Sequence, residues 1–136
     1  MQRIGTAKQV IRHIWGFSKA LDLALIDEEI RKGFRLEIGY HHGEKVGYMS
    51  LRLGALLGIR GKDLFLLLIS GLMHDIGAVG GFAAYHGEYR LMKTHSELGA
   101  RIMAEFPFGE ILAEALRYHH QTPQNHQSDS LMPKII

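Results

Sequence analysis

The sequence predicts an all-α protein, folded as a compact helical bundle, and three observations carry that prediction. Apolar residues recur at helical spacing along most of the chain. No stretch alternates apolar and polar residues for long enough to make a strand. A single apolar run, Leu64 to Met73, has the composition of a central buried helix.

The elements follow in order. An N-terminal helical segment, residues 1–26, places Val10, Ile14, Phe17 and Leu21 on one face. The acidic stretch "IDEEI" then opens a second amphipathic helix carrying Ile30, Phe34 and Ile38. Val46, Met49, Leu53 and Leu56 give the next helix an apolar face up to Gly58, a stop signal, and "GIRGKD" makes a turn before the buried helix from Leu64. The Gly-rich "GAVGGFAAYHGE" reads as a loop. Leu98, Ile102 and Phe106 mark a further helix, "FPFG" breaks it, and Leu112, Ala115 and Leu116 carry the last one into His119 and His120.

A chain of 136 residues, 46% hydrophobic, is one domain's worth with enough apolar surface for a real core, so residues 1–136 read as a single domain. The net charge of +2 is small and the basic residues are scattered, which argues against a nucleic-acid partner. With no cysteine, disulfides and thiolate metal sites are excluded and a cytoplasmic setting is the default. "MQRIGTAKQVIRHIWGF" lacks the apolar core of a secretory leader. "LFLLLISGLM" is about half the length a bilayer requires, so no membrane association is expected.

The chemistry is expected from histidine. Nine are present, and His42, His74, His95, His119 and His120 fall at predicted helix ends, with Asp75 beside His74. Ends of antiparallel helices meet at one level of a bundle, so five imidazoles and a carboxylate from four helices converge on one pocket in this reading. A polar pair after so apolar a run needs a partner, either a buried hydrogen bond or a metal. Imidazole with carboxylate suits iron, manganese, zinc or nickel better than calcium or magnesium, and the two oxygens of Asp75 allow it to bridge two ions. His13, His86 and His126 lack such company and read as surface or loop residues.

The stretches "FSKALDLA", "HHGEKVGYMSLRLGALLGI", "LISGLMHDIGA", "EYRLMKTHSELGARIM" and "ALRYHH" stand in an order that resembles the HD superfamily of metal-dependent phosphohydrolases, and within it the HD-GYP type. The resemblance implies a helical bundle of the HD-domain type that holds one or two divalent transition-metal ions. It implies His42, His74 and Asp75, with a later Asp, as ligands of one ion, and Asp75, His95, His119 and His120 as ligands of the other. His74 and Asp75, the signature pair, are the implied catalytic residues. The implied reaction is hydrolysis of a phosphoester or nucleotide, cyclic di-GMP for the HD-GYP type, by a metal-activated water. A fused sensory or regulatory domain and a homodimer also fit the resemblance.

The chain departs from that pattern at particular places. Ala78 stands where the family has Lys, Gln121 where it has Glu, and "QTPQNHQSDS" where the GYP motif would fall. The loop between the second and third motifs is short. The later Asp would follow "LMPKII", so a C-terminally incomplete fragment that binds metal weakly is the expectation. Three alternatives stay open on these residues: a nucleotide phosphohydrolase of other specificity, a catalytically degenerate HD sensory or signalling domain, and a di-iron redox or oxygen-binding protein.

Overall fold

A computed structural model of the chain describes residues 7–33, 41–78, 89–107, 109–121, 124 and 131–136. Among the described residues six α-helices follow one another: α1 Ala7–Lys32, α2 His42–Leu56, α3 Gly61–Met73, α4 Tyr89–Ala104, α5 Gly109–Tyr118 and α6 Met132–Ile135, with a 3₁₀ turn at Ile76–Ala78 after α3. Among the described residues there is no strand, and the all-α bundle is the fold the periodicity predicts. No helix of the described residues is long and apolar enough to cross a membrane.

At the N-terminal end the structure corrects the prediction. The two helices read around residues 10–21 and 26–38 are one, α1, which runs unbroken through "IDEEI" to Lys32. Nothing from Phe17 to Lys32 is Gly or Pro, so the acidic stretch has no break to follow and lies inside the helix. Phe34 and Ile38 lie outside the described residues, as do most of the predicted Gly-rich loop, His86 and His126. The predicted face of α1 holds in part: Leu21 is buried, and Val10 and Ile14 are half-buried, with Ile14 packed against the core. Phe17 is exposed, while Ser18, Leu21, Asp22, Leu25 and Glu29 are buried.

Helix α3 forms the centre: Leu66 to Met73 are all buried, and Leu112, Ala115 and Leu116 of α5, Met103 of α4 and Met132 of α6 pack around them. It begins at Gly61, so "GKD" belongs to its first turn and not to the preceding loop.

The expected apolar face of α2 is overturned. Met49 is 67% exposed and Leu56 81% exposed, and α2 buries Gly43, Gly47, Ser50 and Gly54 instead. These small residues, spaced along one face, let two helix backbones approach: a methyl group added to Gly71 of α3 would sit 2.8 Å from the Cα of Gly47. Close backbone approach, rather than interlocking apolar side chains, is what sets α2 against α3 and brings the start of one to the end of the other.

After Ala104, Phe106 stands beyond α4 and is 52% exposed; from Lys93 onward α4 buries His95, Ser96, Gly99, Ala100 and Met103. Helix α5 is as read, with Leu112, Ala115 and Leu116 buried and His119 immediately past its end.

Candidate metal centre

His42 is the first residue of α2, and His74 and Asp75 follow the last residue of α3. His119 and His120 follow α5. His95 departs from the expectation that all five histidines stand at helix ends: α4 begins six residues earlier, at Tyr89, and His95 projects from its second turn into the interior. The six side chains nevertheless meet. One donor atom from each of His42, His74 and Asp75 falls within a 4.8 Å set, and so does one from each of Asp75, His95, His119 and His120.

Asp75 joins the two sets through its two oxygens. Oδ2 lies 3.4 Å from His42 Nε2 and 3.1 Å from His74 Nε2, while Oδ1 faces His95 Nε2 at 3.5 Å. Within each set ring nitrogens face one another, His42 Nε2 and His74 Nε2 at 3.1 Å, His95 Nε2 and His120 Nε2 at 2.9 Å. His74 donates its Nδ1 proton to the Gly71 carbonyl at 2.8 Å, so Nε2 faces the Asp75 carboxylate as a donor when the ring is protonated and as a free lone pair when it is neutral. Two electron-rich atoms at that distance repel unless a cation or a proton lies with them. His119 is held in the same way, Nδ1 to the Leu116 carbonyl at 2.5 Å, and its Nε2 is buried with no hydrogen-bond partner. Backbone carbonyls that fix Nδ1 and present Nε2 are the usual outer support of metal-ligating histidines, so the donor set fits divalent transition-metal ions.

The electrostatics agree. Burial disfavours the charge on Asp75, but His74, with hydrogen bonds from His42 and His74, outweighs it and holds the carboxyl well below the usual carboxylate range. Burial, followed by the neighbouring His120 and His74, holds the His119 imidazole well below the ordinary range, so it is neutral and able to ligate. For His74 burial works downward, but the Asp75 charge and hydrogen bond win and raise it above the ordinary 6.5.

The raised His74 pKa predicts a pH dependence at the first set. A ligand must be deprotonated, so metal at His42, His74 and Asp75 competes with the proton on His74, whereas His119 itself offers no such competition near neutrality. As pH falls through the His74 titration, from above the ordinary 6.5 downward, affinity at the first set is expected to drop by up to about tenfold per pH unit. Metal titrations at several pH values check this; an affinity of the first ion that does not change with pH contradicts it.

The cavity of about 470 Å³ lined by Lys93, Thr94, Glu97, Leu98 and Arg101 is a different feature. It lies on the outward face of α4, away from the buried His95. Arg117 of α5 reaches Glu97 at 3.0 Å and fastens α5 to α4.

A helical bundle that gathers five imidazoles around one ionised carboxylate offers the donor set of a divalent-metal centre. The chain belongs to the HD family: the family model described as HD domain matches residues 39–132, a span containing all six side chains, and the protein is a metal-dependent phosphohydrolase of that type. Comparisons with curated proteins and with solved structures give no match.

The sequence reading missed Asp22 of α1. Its carboxylate is 3% exposed and accepts the Gly43 amide through both oxygens, at 3.2 and 3.0 Å. Burial raises its pKa against the lowering effect of that amide and of His42. The available signal was its place one turn after Ser18, on the stripe that includes Leu21 and Leu25.

Proposed function

We propose that the chain hydrolyses a phosphodiester of the nucleotide class, a cyclic dinucleotide such as cyclic di-GMP in the first instance, with His42, His74 and Asp75 holding one divalent transition-metal ion and Asp75, His95, His119 and His120 a second. The observation that carries this is the division of Asp75, one oxygen toward each imidazole set. Bound ions would supply an activated water near neutral pH and stabilise charge on the phosphoryl oxygens. The protein's own part is positional. Gly71 and Leu116 carbonyls fix two ring tautomers, α4 presents His95 from a buried face, and Asp75 stays ionised throughout.

A second reading, an HD signalling domain that binds nucleotide without turnover, is favoured by Ala78. That side chain is 1% exposed and packs with Leu21 and Leu25, so this position offers the substrate no cation. The test is to load the protein separately with manganese, iron, zinc and nickel and to assay cyclic di-GMP, a cyclic mononucleotide and a nucleoside triphosphate. Linear product from the cyclic dinucleotide is the expected result. Nucleotide binding without hydrolysis, with two ions present, would instead support the signalling domain.

A further inference from the structure

Helix α1 contributes none of the six candidate ligands, yet two of its buried polar side chains reach the helix ends that carry them. Asp22 accepts the amide of Gly43, the residue after His42, and Ser18 Oγ donates to the Leu72 carbonyl at 2.8 Å, two residues before His74. Both side chains are buried, Ser18 completely, and they stand one turn apart on one face of α1.

Each satisfies a backbone group that a helix cannot satisfy for itself. The first amides of α2 and the last carbonyls of α3 have no intrahelical partner. The N-cap position of α2 offers no help: His41 sits there in the left-handed region, φ 62°, makes no side-chain cap, and turns its ring to Glu44. The cap therefore comes from another helix, as an anion at the positive end of α2, while a hydroxyl serves the negative end of α3.

We infer that Ser18 and Asp22 form a positioning clamp for the first metal set, fixing the start of α2 against the end of α3 so that His42 and His74 face each other across 3.1 Å. The inference rests on the metal reading of that set. It assigns Asp22 a role by hydrogen bonding to backbone, not as a ligand, and it makes α1 part of the centre although it lies outside the residues the family model matches.

The experiment is zinc titration of the whole chain by competition with a chromophoric chelator, with helicity followed by circular dichroism. Asp22→Leu removes the acceptor and is expected to weaken the ion at His42, His74 and Asp75 about tenfold, the size of a lost helix cap. The other ion should change by no more than about twofold. Asp22→Asn keeps an acceptor oxygen and should stay within about threefold of the parent. Ser18→Ala, a small change, should weaken the same ion severalfold. In a His42→Ala background Asp22→Leu should have no further effect on the remaining ion. If Asn is as damaging as Leu, or both ions weaken together in Ser18→Ala with helicity intact, the clamp is wrong. Two ions bound by the parent and unchanged by Asp22→Leu would overturn the clamp alone, whereas no zinc bound by the parent would overturn the metal reading beneath it.

Discussion

Replacement of Asp75 by alanine is expected to empty both halves of the centre and to lower phosphodiester turnover by about a thousandfold or more, beyond the roughly 10–100-fold typical of losing an outer supporting residue. The carboxylate is the only side chain common to the two donor sets. Without it the first set retains two imidazoles and the second retains three, all neutral donors. The negative charge that offsets two cations in a buried site is then gone. An isolated imidazole loss, such as His120→Ala, removes one donor from one set and should cost less. Metal content measured on the purified variants, together with kcat/KM on the best substrate, checks the ranking. Robust turnover in Asp75→Ala would rule out a mechanism that depends on these ions.

Much of this centre was legible before any coordinates. His42, the His74–Asp75 pair and the His119–His120 pair stand where a helix starts or stops, and helix ends in a bundle can share a level, so periodicity makes their meeting possible and the motif order that resembles the HD superfamily implies it. His95 does not stand at the helix start that the sequence predicts for it. Nothing in "EYRLMKTH" marks the true beginning at Tyr89, and the residue reaches the site from a helix interior. The face of α2 was misread because an apolar-residue count ignores glycine. Gly43, Gly47 and Gly54 recur at helical spacing as clearly as Met49, Leu53 and Leu56 do, and the glycine stripe is the one that is buried. Asp22 escaped notice for a related reason: a carboxylate on an amphipathic helix is ordinarily solvated, and only the tertiary partner, an amide at the start of α2, reveals it as a cap.

Gly77→Ala should damage the second ion more than the first, and the cause lies in the backbone. Gly77 is the middle residue of the 3₁₀ turn that follows Asp75, and that turn lies directly on α4. A Cβ at this position would run into the carbonyl oxygen of His95 and the amide of Gly99, with the Gly99 Cα only 2.9 Å away. Every one of these is a main-chain atom, so no rotamer change relieves the clash and the turn and α4 must move apart. A shift of about 1 Å is enough to cost roughly a hundredfold in a reaction that depends on fixed geometry. It would carry His95 away from Asp75 Oδ1, now 3.5 Å distant. His42 and His74 lie on α2 and just after α3, so of the first set only Asp75 adjoins the turn, and that ion should be the less affected of the two. The strain should also lower stability by about 3 kcal/mol, the upper end for overpacking, since the obstructing atoms are not side chains. Gly99→Ala is the control, because its Cβ would meet the flexible Leu116 Cδ2 at 3.3 Å and the Gly77 nitrogen at 3.4 Å, contacts that small adjustments accommodate. Denaturant unfolding and metal stoichiometry of the two variants decide the matter: Gly77→Ala binding one ion and Gly99→Ala binding two is the expected pair, and a Gly77→Ala protein with both ions and full stability would show that α4 yields without moving His95.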